Sequence, residues 1–372
     1  MTVEPGQFGM STRTVKAVDF QGVPGEPVSP TLVPATTFHL GDETGGLDFY
    51  GRASNPSWRQ VESAIAQLEG GSSALVFGSG MAAITAVLRA LTAPGSTLVV
   101  PADGYYQVRA YAEEYLAPQG VNVTEARSDE MCEAAESLDA GDTVLAETPA
   151  NPGLDVTDLH RLSLICRGRG TRLVVDNTTA TPLGQSPLAL GADLVVASAT
   201  KALSGHSDLL AGYVAGSNPE LMAALTRERL LSGPVLGAFE SWLLLRSLAT
   251  AGLRFERQCQ NAMALAGWLR RHPAVRSVRY PGLPDDPAYP VAAAQMRRFG
   301  GLVSMELADA ADIDNLVRRS ELLIAATSFG GIHTSADRRA RWGDDVPDGF
   351  VRISLGIEDT DDVLADFEQA LG

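Results

Sequence analysis

From residue 73 onward, short continuous apolar runs alternate with stretches of helical periodicity. "SALVF" (73–77), "STLVVP" (96–101), "DTVLAET" (142–148), "TRLVVDN" (171–177) and "DLVVAS" (193–198) read as strands, and "AGYVAG" (211–216) is strand-like. Between them, "MAAITAVLRAL" (81–91), "VRAYAEEYLAPQ" (108–119) and "DVTDLHRLSLICRGRG" (155–170) read as helices, and "SPLALG" (186–191) as a shorter helical piece. Strands that are apolar throughout and alternate with helices predict an α/β domain with a mostly parallel sheet covered on both faces.

The pattern changes near Gly233. Residues 240–272 ("ESWLLLRS…GWLRRH") predict one long amphipathic helix. A mixture of strands and helices follows, from "VRSVRYPG" through "GLVSMELA" and "FVRISLG" to "DDVLADFEQAL", which suits a smaller α/β domain with antiparallel pairing. The first 45 residues, rich in Pro, Gly and Thr, show no period and predict an extended arm that must lie on something else, such as another subunit. The expected division is therefore an arm (1–45), a large domain (46–235) and a small C-terminal domain (236–372).

Charge and composition narrow the partners. A formal net charge of −16 over 372 residues sets the chain against phosphate backbones and anionic membranes, so nucleic acid and membrane are excluded as partners. No apolar run is long enough to span a bilayer, and "MTVEPGQFGM" lacks the basic-then-apolar order of a secretory signal. Three widely spaced cysteines and five scattered histidines form neither a disulfide framework nor a metal site. A cytoplasmic protein is the expectation.

Chemistry concentrates where the large-domain strands end. "VFGSGMAA" (76–83) runs from strand through Gly78 and Gly80 into a helix, an arrangement whose free N–H groups accept an anion. Gly78, Gly80 and Ala83, with Asp103 about 20 residues on, also fit a dinucleotide fingerprint. A tight turn with no ligand gives the same pattern. "TRLVVDN" ends in Asp176, ordinarily a turn cap, but placed here where open α/β sheets bind ligands. The next strand delivers Lys201 to the same edge. A lone lysine is usually a surface charge with its stem on apolar neighbours. Desolvated, however, it loses its proton more readily and becomes a nucleophile able to form an imine with an aldehyde. Pyridoxal 5′-phosphate needs an amine, an acid for its pyridine nitrogen, phosphate donors and a stacking ring. Lys201, Asp176, the Gly80/Met81 turn with Ser198 and Thr200, and Tyr105 or Tyr106 in "PADGYYQVR" supply all four.

At these residues the chain resembles the Cys/Met-metabolism family of pyridoxal-phosphate enzymes. The likeness extends over "YGRASNPS" (50–57), "FGSGMAA", "ETPANP" (147–152), "VVDNTTATP", "SATKALSGHSDLLAGYV" and "VRISLGIED" (351–359). It implies the aspartate aminotransferase-like fold (fold type I) of pyridoxal-phosphate transferases. It also implies a carbon–sulfur lyase of the γ-lyase and γ-synthase kind, acting on an amino-acid substrate. By this resemblance Lys201 holds the cofactor and carries protons, and Tyr105 stacks on the ring and donates a proton. Asp176 pairs with the pyridinium, and Gly80, Met81, Ser198 and Thr200 bind the phosphate. Asn151 and Ser328 orient cofactor and carboxylate, and Arg352 grips the substrate carboxylate. Tyr50 and Arg52 would reach into a neighbouring subunit's site in a homotetramer.

Three departures stand out. "YYQV" replaces the family's usual Y-G-G-T. Thr327 occupies the position where γ-cleaving members often carry glutamate. "IHTS" replaces E-S-L and leaves His333 near the site entrance, as a specificity residue, a general acid or a solvated loop histidine. Two readings from other classes are an NAD-dependent dehydrogenase, which leaves Lys201, Asp176 and Arg352 without work, and a non-catalytic binding protein, which needs neither an imine nor a carboxylate clamp.

Overall fold

The computed structural model describes residues 8–20, 22–41 and 48–372. Seven strands form the large sheet: β1 (Ser73–Phe77), β2 (Thr97–Pro101), β3 (Asn122–Ala126), β4 (Thr143–Glu147), β5 (Arg172–Asp176), β6 (Leu194–Ala197) and β7 (Gly212–Gly216). Their order is β1-β7-β6-β5-β4-β2-β3, and β7 alone runs against the others. All but β3 are buried along most of their length, and helices cover both faces. With the strands parallel, their C-terminal ends line up on one edge, where such sheets bind ligands. The C-terminal domain is a second sheet, β10-β11-β12-β9-β8, built from β8 (Ser277–Arg279), β9 (Leu302–Glu306), β10 (Ile324–Ala325), β11 (Ser335–Arg338) and β12 (Phe350–Ser354). Only its β10–β11 pair is parallel.

Several expectations are corrected. The segment 240–272 is two helices, Ala238–Leu248 and Ala251–Leu269. At the break, Thr250 N–H reaches back only three residues to the Ser247 carbonyl, and the Arg254 guanidinium caps the same oxygen at 2.9 Å. An amphipathic period cannot reveal a break made by such a cap. "SPLALG" is a pair of turns, whereas Thr181–Gly184 just before it forms the short helix. The N-terminal stretch is not wholly extended. Met10–Ala17 is a helix packed on Ala251–Leu269, where a Cβ on Gly252 would lie 2.7 Å from the Ser11 Cα. Residues 30–35 lie along this chain's own helices, with Trp242 bonded to the Pro30 carbonyl and Asn55 to those of Val33 and Ala35. The polar edge strand β3 and the helices Pro56–Glu69 and Pro219–Ser232 were not anticipated.

The helix Ala251–Leu269 joins two cores. Its first half gives Ala251, Phe255 and Cys259 to the core under β1, β7 and β6. Its second half gives Ala262, Leu265, Ala266 and Leu269 to the core of the C-terminal sheet. On the way, Arg254 donates to the carbonyls of Ala202 and Leu203, directly after Lys201.

Candidate active site

A cavity of about 460 Å³ opens where β1, β2, β4, β5 and β6 end and the small domain leans over them. That volume is in the range of small-molecule sites. Gly80, Met81, Tyr105, Tyr106, Asn151, Asp176, Ser198, Thr200, Lys201, Thr327, Ser328 and Arg352 all line it.

At one end, Ser79 caps the helix Gly80–Leu91 by accepting from Ala82 N–H at 3.0 Å. The Gly80 and Met81 N–H groups have no protein acceptor among the described residues and face the cavity at a helix N-terminus, which favours an anion. Glycine is required at 80 because a Cβ there would meet the Ser198 Cβ at 2.7 Å. Ser198 is fixed by its N–H, which donates to the Thr178 hydroxyl at 2.8 Å. The Thr200 hydroxyl donates to the Ala211 carbonyl and accepts from Ala211 N–H. These bonds brace the lysine turn, and Thr200 itself lines the cavity.

In the middle, Asp176 ends β5 with one carboxylate oxygen taken by the Thr178 N–H and hydroxyl. Burial raises its pKa, against the pull of Thr178 and Lys201. The sheet register places Glu147 directly beside it, and Glu147 accepts from Tyr105 N–H at 2.7 Å and Asn151 N–H at 2.8 Å. Burial, and then the Asp176 carboxylate, push Glu147 up to about 8. Lys201 is brought down to about 8 by burial and by the charge of Arg352, with Asp176 opposing and Arg339 adding to the fall. Its Nζ donates to the Ser328 hydroxyl at 2.8 Å.

At the far end, Arg352 is 2% exposed. Its Nη1 donates to Asn151 Oδ1 and its Nη2 to the Ser328 carbonyl, both at 2.6 Å. Its Nε is buried without a partner, a donor left for a ligand. Ser328, which receives both Lys201 and Arg352, holds a left-handed backbone (φ 73°), a conformation that persists only where its surroundings impose it. Tyr105 and Tyr106 both border the cavity with their rings edge to face. Burial, and then Tyr106, raise the Tyr105 phenol above its usual value, which keeps its proton in place at neutral pH.

Some predicted residues lie elsewhere. Tyr50 is 44% exposed and Arg52 donates to the Leu230 carbonyl; neither lines this chain's own cavity. His333 borders an adjoining hollow with Ser207 and Asp208. Asp103, the ribose contact of the dinucleotide reading, accepts from Ser128 N–H and stays outside the cavity. Sequence reasoning missed Glu147, Thr178, Phe329, Arg339 and Trp342, all on the cavity wall. Glu147 stood in the quoted "ETPANP", at a strand end equivalent to that of Asp176, and this position was the available signal.

A partly desolvated lysine, a buried carboxylate one strand away and a helix N-terminus on the same sheet edge define a pyridoxal-phosphate enzyme. The chain belongs to the Cys/Met metabolism PLP-dependent enzymes, whose family model matches residues 12–372. It is 47% identical over 372 residues to a Streptomyces coelicolor protein provisionally named cystathionine gamma-lyase, covering 98% of this chain and 93% of that one. It is 36% identical over 384 residues to a Mycobacterium tuberculosis cystathionine gamma-synthase, covering 100% and 99%. Among solved structures, apo CalE6 from Micromonospora echinospora, a methionine gamma lyase, superposes with a TM-score of 0.91 at 35% identity, covering 99% of this chain and 100% of that one. Pyridoxal phosphate is therefore the cofactor, a small-molecule amino-acid substrate is consistent with the family, and the dehydrogenase and pure-binder readings fall away. Among the described residues no helix is long and apolar enough to cross a membrane, and no cluster of metal-binding side chains occurs.

Proposed function

We propose that the chain is a cystathionine γ-lyase, converting L-cystathionine and water to L-cysteine, 2-oxobutyrate and ammonia. The observation that carries the chemistry is the joint hold of Ser328 on Lys201 and Arg352, which sets a proton carrier beside a carboxylate clamp. Choice of the lyase over its sister activities follows the name of the 47% identical relative.

Bound pyridoxal phosphate supplies the electron sink that makes the substrate's Cα proton acidic. Gly80, Met81 and Ser198 would hold its phosphate, Asp176 its ring nitrogen and Tyr105 its face. Arg352 takes the substrate α-carboxylate through the free Nε edge, a geometry suited to a planar, bidentate pair. Asn151 and the Ser328 carbonyl keep the guanidinium from rotating. Lys201, neutral above about pH 8, removes protons from Cα and then Cβ. The protonated Tyr105 phenol donates to the departing sulfur. Tyr50 and Arg52, outside their own cavity, are assigned to the site of a neighbouring subunit in a homotetramer.

The test follows 2-oxobutyrate and free thiol from L-cystathionine, with parallel assays on O-succinylhomoserine or O-acetylhomoserine plus cysteine. Equal release of oxo acid and thiol supports the lyase. Inertness toward cystathionine, with thioether formed from an acylated homoserine, overturns it in favour of the synthase, the activity named for the mycobacterial relative. Thr327 and His333 are then the first residues to exchange.

A further inference from the structure

The small domain places a second arginine at the cavity, and the activity described so far leaves it unused. Arg339 follows β11 and lines the cavity while only 6% exposed. Its Nε donates to Asp344 and its Nη1 to Asp337, each at 2.7 Å. Its Nη2 has no protein acceptor among the described residues. A buried guanidinium held by two carboxylates, with one nitrogen unpaired and its side chain on a cavity wall, is a preorganised anion receptor. Trp342, one 3₁₀ turn later, donates its indole N–H to Asp337 at 3.0 Å and presents its ring to the same cavity.

The charge inventory leads to the same place. Among the described residues the cavity wall carries three cationic side chains, Lys201, Arg339 and Arg352, and two carboxylates, Glu147 and Asp176. Lys201 is claimed by the cofactor aldehyde, Asp176 by the ring nitrogen and Arg352 by the substrate α-carboxylate. The cofactor phosphate belongs at the Gly80 end, whereas Arg339 sits at the Arg352 end and shares Asp337 with it. It lines the same cavity as Tyr105, the group assigned to the departing atom. One cation is left over on that side.

We propose that Arg339, walled by Trp342, is a second anion-binding point that takes a carboxylate on the far part of the substrate, beyond the atom that leaves Cγ. The proposal rests on the γ-cleavage reading and deepens it. Substrates with an acidic tail, such as cystathionine or a succinylated homoserine, are preferred over those with an uncharged tail, such as methionine or an acetylated homoserine.

The experiment reads binding, so it does not depend on sulfur chemistry. Holoenzyme is titrated with L-2-aminosuberate and with L-2-aminooctanoate, which share an eight-carbon chain and differ in the terminal carboxylate, placed at the chain position it has in cystathionine, following the cofactor's visible absorbance. Wild-type protein is expected to bind aminosuberate at least about tenfold more tightly, the size of one charged hydrogen bond. R339Q is expected to bring the two dissociation constants within about twofold of each other. A wild-type ratio near one overturns the proposal, as does a full ratio in R339Q. Should R339Q fail to fold, R339M, which keeps the stem and removes the charge, replaces it. An undiminished ratio there also overturns the proposal. If the γ-cleavage reading fails, no sulfur substrate yields product, yet the binding ratio is still measured and judged by itself.

Discussion

Lys201 shows how the surroundings of one residue set its chemistry. Burial and the Arg352 charge bring its amine down to about 8, so the protonated form dominates below that pH and only the neutral form attacks an aldehyde. The rate at which apoenzyme takes up pyridoxal phosphate is therefore expected to rise about tenfold per pH unit on the acid side and level off above about 8. Arg352→Gln removes a charge that holds the amine down, so its rate curve moves to higher pH. Stopped-flow absorbance measures both, and coincident curves would contradict the assignment. Lys201→Ala is expected to lose about 10³-fold or more in turnover, measured as oxo-acid release.

At the scale of the element, β11 and β12 build the carboxylate end of the site. Their register sets Asp337 opposite Arg352. Asp337, 1% exposed, accepts from Arg339, Arg341 and Trp342. Burial works against its charge, but these hydrogen bonds and Arg352 outweigh it and hold the carboxyl below its ordinary value of 3.8. Asp337→Ala takes the carboxylate from the buried Arg352 and leaves Arg339 with Asp344 alone, and is expected to cost about 3 kcal/mol in urea unfolding. Because the folded-state pKa is depressed, that contribution is complete above the unfolded value and fades only as pH falls through the folded one. The difference between wild type and variant is therefore expected to be constant near neutrality and to shrink below about pH 4. This end of the site was the least legible in the sequence. Lys201 and Asp176 could be read because a strand end fixes where a side chain goes. Arg352 meets Asn151 across 201 residues of chain, and only resemblance pointed to it. Arg339 and Trp342 lie in a charged loop segment that, read alone, is an ordinary solvated turn. The break at Thr250 and the polar strand β3 escaped for the related reason that local period does not record a cap or an edge.

For the whole molecule, the order of α/β followed by a smaller, mostly antiparallel domain was visible from the apolar runs. The docking of residues 10–17 and 30–35 on the chain's own helices was not, because their few buried groups follow no period. Tyr50 and Arg52 lead to a prediction at this scale. If they complete a neighbour's site, Lys201→Ala and Arg52→Ala chains, each nearly inactive alone, regain a measurable share of wild-type turnover when co-expressed, since a mixed assembly holds one site with both residues intact. Purified mixed oligomers with no activity above either parent would exclude shared sites.

The helix Ala251–Leu269 also bears on how such proteins can be recombined. Its first half is folded into the large-domain core and its Arg254 clamps the backbone after the lysine, so the loop near residue 235 is not a seam. A chimera joined there would graft a foreign helix onto the native lysine turn. The interchangeable unit begins between Cys259 and Ala262, where the helix passes from one core to the other. Parents crossed at that point keep the clamp and exchange the substrate-facing β11–β12 loop, so inherited specificity should travel with the last 111 residues of the 372, counted from Ala262, and inherited cofactor chemistry with the rest.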